Sequence, residues 1–155
     1  MYRSVRAPTF HVVFLKAITV TGRRLDVPAS VFAAGAVVDS GTVITWLPPA
    51  AYRALRTAFR AEMKVYPPAR PRSILDTCFN LTGVGHVKLP RVALVFDRGA
   101  ALELHPAGIL LYECLAFASS GDDKAMGIIG NVQQRTFEVL YDVRGGALGF
   151  RRGAC

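Results

Sequence analysis

Apolar residues at helical spacing mark one stretch of the chain between two proline pairs, Pro48-Pro49 and Pro67-Pro68. Four apolar side chains recur at i, i+3, i+7 and i+11, which places them on one face of a helix. They are Tyr52, Leu55, Phe59 and Met63. Proline suits the first turn of a helix and cannot continue one, so the two pairs predict its start and its stop. The pattern predicts one helix, with the apolar stripe facing the core.

The other apolar residues form short runs rich in β-branched and aromatic side chains, which are typical of strands. We expect one strand over 9–20, one or two over 87–96 with a break at Pro90, and two over 100–119. Shorter strands are predicted at 23–28 and 35–41. A helical turn is predicted at 131–135, followed by a hairpin whose strands flank Arg144-Gly145-Gly146.

Many short strands with one helix, and no regular alternation of strand and helix, predict an all-β fold class. The 155 residues fit one domain with a core of its own, and the chain contains no linker or low-complexity segment. We therefore treat residues 1–155 as a single unit.

The net charge of +8 does not by itself indicate a particular partner. Charge alone would permit nucleic-acid binding. However, the arginines are scattered and no basic run interleaves with aromatic residues, so a solvated basic surface is the preferred interpretation. No run is apolar enough to span a bilayer, which needs about 20 residues. We expect neither a nucleic-acid partner nor a membrane partner.

Cysteine and histidine spacing argues against a metal site. Cys78, Cys114 and Cys155 show no short C-x-x-C spacing, and His11, His86 and His105 lie far apart. Three cysteines allow at most one internal bridge and leave at least one thiol over. The tripeptide Asn80-Leu81-Thr82 is a glycosylation sequon, which together with a disulfide would favour a secretory compartment.

The stretch "AVVDSGTVITWLP", residues 36–48, carries the candidate chemistry. Two valines lead into Asp39, and a carboxylate at the end of an apolar strand is costly unless donors surround it. Ser40 and Thr42 offer hydroxyls, and Gly41 lets its N–H approach closely. Such a carboxylate can act as a general base toward water or as a nucleophile. A capped turn is the structural alternative.

The chain resembles the C-terminal lobe of a pepsin-like aspartic protease of the plant nepenthesin-like group, whose relatives include non-proteolytic xylanase inhibitors. The matching pieces run from about Pro8 to Cys155. They are "PTFHVVFLKAITVTGRRLDVPASVF", "VVDSGTVITWLPPAAYRALRTAF", "DTCFNLTG", "LPRVALVF", "CLAF" and "IIGNVQQRTFEVLYDVRGGALGF". The resemblance implies one lobe of a bilobal fold, with no cofactor and with the N-terminal lobe absent from this chain.

The resemblance also implies roles for individual residues. Asp39 corresponds to the second of two catalytic aspartates, and Ser40, Gly41 and Thr42 support its loop. The apolar segment that crosses behind that loop corresponds to Ile128, Ile129 and Gly130. Cys78 and Cys114 match a bridge within the lobe, and Cys155 matches a cysteine that pairs with the other lobe, so here it is expected to be unpaired.

The catalytic mechanism implied by the resemblance needs two aspartates that share a proton. No second Asp-Ser/Thr-Gly exists in the sequence: "Asp76-Thr77-Cys78" lacks the glycine and "Asp97-Arg98-Gly99" lacks the hydroxyl. We therefore expect catalysis on a protein or peptide substrate to require the missing N-terminal lobe or a second copy of the chain. Two alternatives are a non-catalytic binding module like the xylanase inhibitors, and an inactive truncated lobe.

The sequence gives little direct information on location. Arg3 and Arg6 precede an apolar stretch as in a signal peptide, but His11 and Lys16 interrupt it and no small-residue cleavage site follows. We interpret this stretch as a strand and expect no export signal in the chain itself. The family resemblance suggests a secreted, vacuolar or other secretory location.

Overall fold

The protein is described here by a computed structural model that covers residues 2–3 and 11–153. The described part contains two α-helices, α1 (Pro49–Glu62) and α2 (Asn131–Gln134), and short 3₁₀ turns. Its strands are β1 (Tyr2–Arg3), β2 (His11–Val13), β3 (Leu15–Val20), β4 (Arg23–Arg24), β5 (Ala36–Val38), β6 (Thr45–Leu47), β7 (Pro68–Ala69), β8 (Cys78–Phe79), β9 (Val92–Phe96), β10 (Ala101–Glu103), β11 (Leu110–Leu111), β12 (Cys114–Leu115), β13 (Phe117–Ser119), β14 (Gly127–Ile129), β15 (Phe137–Asp142) and β16 (Ala147–Arg152). The predicted β-rich fold with one main helix is confirmed.

Four sheets organise these strands. The largest has the order β1-β2-β5-β14-β6-β13 and mixes parallel with antiparallel neighbours. A second sheet has the order β10-β9-β3-β4, a third has the order β11-β12-β8-β7, and β15 and β16 form a hairpin. Apolar side chains from the first two sheets and from α1 meet in one core, which includes Ile18, Leu55, Phe59, Leu94, Phe117 and Ile129.

Helix α1 covers this core with the predicted stripe. Tyr52, Leu55, Phe59 and Met63 are all buried, and the helix contacts β3 and β13. Pro49 occupies the first turn, where its missing N–H costs nothing. The backbone N–H of Ala50 donates to the carboxylate of Asp123 at 2.9 Å, which supplies a cap from a distant part of the chain. Neither helix of the described residues is long and apolar enough to cross a membrane.

Three strand predictions were wrong in detail. The segment predicted as one strand over 9–20 is two strands, because the chain leaves the large sheet after Val13 and enters the second sheet at Leu15; Thr9 and Phe10 lie outside the described residues. Only Val92–Phe96 is a strand within 87–96. The segment 100–119 holds four short strands, since a 3₁₀ turn and two left-handed residues, Tyr112 and Glu113, interrupt it.

A disulfide joins two strands of the third sheet. Cys78 and Cys114 lie opposite each other in β8 and β12, with 3.9 Å between their Cα atoms, and both are buried. The bridge spans 36 positions of sequence. In the chain-entropy model, closing such a loop contributes about 4 kcal/mol to the free energy of unfolding.

A polar network ties α1 to the segment that leads into this disulfide. The carboxylate of Asp76 accepts hydrogen bonds from the Tyr52 hydroxyl, from the Thr77 hydroxyl at 2.7 Å and from Arg56 at 2.8 Å. Arg60 donates to the carbonyl oxygen of Asp76 at 3.1 Å. Burial acts to raise the pKa of Asp76, but the three hydrogen bonds outweigh it and hold that pKa below the ordinary value of 3.8. Burial, followed by the bond to Asp76, raises the pKa of Tyr52 to about 12.

Because the folded-state pKa of Asp76 is depressed, its charged form contributes stability above the ordinary pKa of 3.8, and this contribution is lost as pH falls through the folded value. We expect Asp76→Asn to lower the free energy of unfolding by a constant amount from neutral pH down to about 4–5, and by progressively less as pH falls below 3.8. Urea unfolding of both proteins from neutral to strongly acid pH measures the difference. Asp122→Asn, which removes a carboxylate from an exposed turn, is the control. A difference between Asp76→Asn and wild type that stays constant with pH would contradict the role of this ion pair.

Candidate active site

The loop that carries Asp39 crosses over one strand of the large sheet. It connects β5 to β6, yet these strands are not neighbours, because β14 lies between them. Strand β14 runs parallel to β5, with Ile128 opposite Val37 and Ile129 opposite Val38, and antiparallel to β6. Since adjacent strands lie about 4.8 Å apart, the loop must bridge about 10 Å across β14. Asp39 therefore begins a wide loop at the end of a buried strand.

Both oxygens of the Asp39 carboxylate are held by this loop. The N–H of Gly41 donates to Oδ1 at 2.9 Å, and the hydroxyl of Thr42 donates to Oδ2 at 2.7 Å. A Cβ at Gly41 would lie 3.2 Å from Oδ1, so glycine lets the backbone approach without crowding. The N–H of Thr42 also donates to the carbonyl of Asp39 at 3.3 Å, which closes the turn. The carboxylate orientation is thus fixed while Asp39 remains half-exposed.

These bonds determine the electrostatics of the group. The hydrogen bond from the Thr42 hydroxyl, and after it the one from the Gly41 N–H, hold the pKa of Asp39 below its ordinary value of 3.8. Donors that bond the charged form favour it, and burial opposes them only weakly here. Within the described residues, no second carboxylate is hydrogen-bonded to Asp39. Asp39 on its own is consequently ionised down to a lower pH than an ordinary aspartate, so it is present mainly as the carboxylate.

The segment behind the loop supplies its support. The N–H of Asp39 donates to the carbonyl of Ile129 at 3.1 Å. A Cβ on Gly130 would overlap the backbone of Ile44, so only glycine allows the two segments to cross this closely. The structure thus brings Ile128, Ile129 and Gly130 to the back of the Asp39 loop.

Helix α2 fixes the same loop from its N-terminal end. The backbone N–H groups of Asn131 and Val132 donate to the carbonyls of Thr42 and Val43 at 2.8 and 3.0 Å. The side chain of Asn131 donates to the carbonyl of Ser40 at 3.1 Å. The first N–H groups of a helix lack partners within the helix, and here the loop provides them. Ser40 itself is exposed, with its side chain outside these contacts.

A fully buried polar network lies beneath this arrangement, and the sequence analysis did not predict it. The Thr45 hydroxyl accepts from the N–H of Gly130 at 3.0 Å and donates to Oε1 of Gln133 at 2.8 Å. The amide of Gln133 donates to the carbonyls of Gly108 and Ala116, each at 2.9 Å. Thr45 and Gln133 are both completely buried. The only available signal was a polar residue at an inward position of a short strand, which is too common to be specific.

The hairpin of β15 and β16 approaches the site from one side. Burial, followed by the negative charge of Asp39, raises the pKa of Tyr141. The Tyr141 ring lies 4.7 Å from that of His11, centroid to centroid. Four exposed apolar side chains lie in these two segments: Val43 in the Asp39 loop, Leu140 and Tyr141 in β15, and Val143 directly after it.

The remaining predicted site residues lie elsewhere. Cys78 and Cys114 form the disulfide of the third sheet, and Asn80 follows β8 at the surface. Cys155 lies outside the described residues. Two surface cavities, of about 440 and 530 Å³, are lined by other residues and do not include Asp39. Asp39 lines neither cavity and is half-exposed.

Comparison with known proteins gives this geometry a context. A family model described as xylanase inhibitor C-terminal matches residues 10–152. An aspartyl protease family protein of Arabidopsis thaliana is 49% identical over 153 residues, covering 95% of this chain and 32% of the relative. The aspartic proteinase nepenthesin-2 of Nepenthes gracilis is 35% identical over 160 residues, covering 96% of this chain and 36% of the relative. The chain thus spans about a third of the length of these curated relatives.

Two solved structures share the fold. The crystal structure of EDGP superposes with a TM-score of 0.79 at 17% identity, over 90% of this chain and 38% of that one. Basic 7S globulin from soybean gives a TM-score of 0.74 at 20% identity, over the same shares of both chains. At these identities the likeness shows the fold alone.

The buried network around Thr45 predicts that removing one hydroxyl group lowers the free energy of unfolding strongly. Thr45→Val keeps the side-chain shape but leaves the Gly130 N–H and Gln133 Oε1 buried without partners. We expect it to lower the free energy of unfolding by about 2–3 kcal/mol, measured by urea unfolding. The matched change Thr19→Val, at a half-buried position of β3, should cost no more than about 0.5 kcal/mol. Equal effects of the two changes would contradict the network.

The carboxylate geometry predicts the direction of a pKa change. Thr42→Val removes the bond that does most to lower the pKa of Asp39, so that pKa should rise toward 3.8. NMR titration of the Asp39 side-chain carbonyl carbon measures it. Ser40→Ala is the matched control, and it should leave the pKa of Asp39 in place. An unchanged value in Thr42→Val would mean that the hydroxyl does not hold the carboxylate in solution.

Proposed function

The chain belongs to the xylanase inhibitor C-terminal family and has the fold of one lobe of a pepsin-like aspartic protease, and from this we propose that it supplies half of an acid endopeptidase. In this proposal Asp39 is one of the two aspartates that together hydrolyse a peptide bond. The observation that carries the proposal is the Asp39 carboxylate, whose oxygens are both held by donors at the open end of a buried strand. Relatives named as aspartyl proteases support it.

In the proposed mechanism, two carboxyl groups share one proton. Two like charges about 3 Å apart cannot both ionise, so one aspartate keeps a proton while the other is charged. The charged member takes a proton from water as the water oxygen attacks the peptide carbonyl carbon. The protonated member donates its proton to the carbonyl oxygen, which gives a gem-diol. The member that took the proton from water then passes it to the amide nitrogen, the C–N bond breaks and the amine leaves, and one gem-diol hydroxyl returns its proton to the other carboxylate as the new carboxylic acid forms. The donors on Asp39 favour its charged form, which fits it to the role of base in the free enzyme.

The chemistry requires a partner, which we propose to be an N-terminal lobe or, failing that, a second copy of this chain. The exposed apolar side chains of Val43, Leu140, Tyr141 and Val143 lie on the Asp39 loop and on the adjacent hairpin, where a partner would cover them. Contiguous exposed apolar patches mark interaction surfaces, and the proposal is that a partner joins these side chains into one covered surface. A partner lobe on this surface would also form the other wall of a substrate cleft, since Asp39 lies in neither large cavity of this chain.

We also propose a secretory location, such as a vacuole or the cell exterior. The buried Cys78–Cys114 bridge supports it, because disulfides form and persist in oxidising compartments and are rare in the cytosol.

The proposal predicts activity only from the assembled pair. The chain mixed with the N-terminal lobe of the Arabidopsis relative should cleave a denatured protein between about pH 2 and 5, while the chain alone should not. Asp39→Asn should lower this activity by about 10³-fold or more, because the amide cannot take the proton from water. Asp122→Asn, in an exposed turn, is the matched control and should retain activity.

The identity of the partner is tested by the oligomeric state of the chain. Sedimentation of the chain alone distinguishes a monomer from a dimer, and cleavage by a dimer would identify the second copy as the partner. Full activity in Asp39→Asn would contradict the site assignment. An assembled pair with intact Asp39 that bound peptides without cleaving them would instead favour a non-catalytic binding module.

A further inference from the structure

Asn80 is presented to solvent by a rigid local structure. Its backbone N–H donates to the carbonyl of Pro67 at 2.7 Å, and the preceding residues Cys78 and Phe79 are buried in β8. From Asn80 the chain turns outward, and both Asn80 and Thr82 are exposed, as are all residues from Thr82 to His86. Because the strand before it is anchored by the disulfide and by pairing with β7, the position of Asn80 is fixed relative to the core.

The side chain already has the geometry that an attached sugar would need. Oδ1 of Asn80 accepts a hydrogen bond from the N–H of Thr82 at 3.1 Å, so the side chain is held through its oxygen and not through Nδ2. Among the contacts of the described residues, no hydrogen bond engages Nδ2. An N-linked sugar replaces one hydrogen on Nδ2 and leaves Oδ1 as an acceptor, so attachment would preserve the bond to Thr82.

We propose that Asn80 is an attachment site for an N-linked oligosaccharide. Asn80-Leu81-Thr82 is a sequon, and its hydroxyl residue is exposed together with the asparagine. Nδ2 attacks the anomeric carbon of an oligosaccharide carried on a lipid diphosphate. The bond from that carbon to the phosphate oxygen breaks, the lipid diphosphate leaves, and Nδ2 loses one proton. Attachment of this sugar in the cell rests on the secretory location proposed above.

The site lies apart from the Asp39 loop. Asn80 follows a strand of the third sheet, whereas Asp39 belongs to the largest sheet. An oligosaccharide at Asn80 would therefore extend from the third sheet, and the Asp39 loop of the largest sheet would stay open for a partner lobe.

The first experiment tests acceptance of the sugar. The full chain, placed behind a cleavable secretion signal, is translated with microsomes of the endoplasmic reticulum. We expect a slower-migrating product that N-glycosidase returns to the unmodified position. Asn80→Gln and Thr82→Ala should abolish the shift, while the conservative control Thr82→Ser should retain it. No shift in the wild-type chain, or a shift that persists in Asn80→Gln, would overturn the proposal.

The second experiment tests the exposure of the site in the folded protein. Glycosylated chain secreted by eukaryotic cells is treated with the glycosidase without denaturant. Release under these conditions, with an unchanged midpoint of unfolding, is the expected result. A sugar that is released only after unfolding would contradict the exposed position of Asn80. Neither experiment requires peptide cleavage or a partner lobe, so their failure is distinct from failure of the proposed protease activity.

Discussion

The close crossing of Gly130 over the backbone of Ile44 is the constraint on which the site depends. Strand β14 can lie between β5 and β6 only if the chain leaving it passes tightly beneath the loop that joins them. That passage puts the carbonyl of Ile129 against the N–H of Asp39 and the first N–H groups of α2 against Thr42 and Val43. Interiors pack densely and transmit small displacements, so a methyl group at Gly130 would move the whole loop.

The loop is held by polar groups that find their partners in distant parts of the sequence. Thr45 and Gln133 are 88 residues apart and completely buried, and together they engage Gly130, Gly108 and Ala116. Buried polar networks are costly when incomplete, so full pairing selects one arrangement of the backbone over its competitors. The rigid base allows a half-exposed carboxylate to keep a fixed orientation at the surface.

The chain divides into a rigid support and an open face. The disulfide and the Asp76 network fix α1 and β8 to the core. Asp39 is half-exposed, apolar side chains of its loop and of the hairpin are exposed, and the donors around Asp39 favour its charged form. A proton shared between two carboxyl groups needs a second carboxylate close by, and this chain has the fold of a single lobe. The single carboxylate of the Asp39 loop and the single-lobe fold therefore lead to the same proposal of a partner.

The sequence by itself determined the elements whose cause is local. The stripe from Tyr52 to Met63, bounded by prolines, predicted α1 because helical period and proline chemistry act within a few residues. The run from Val37 to Thr42 indicated a supported carboxylate because its donors are chain neighbours of Asp39. Tertiary structure alone decided the switch of sheets at Phe14, the placement of β14 between β5 and β6, and the roles of Thr45, Asn131 and Gln133. Those features depend on hydrogen bonds and close contacts between segments far apart in sequence, and no periodicity within a segment records which distant segment will satisfy it.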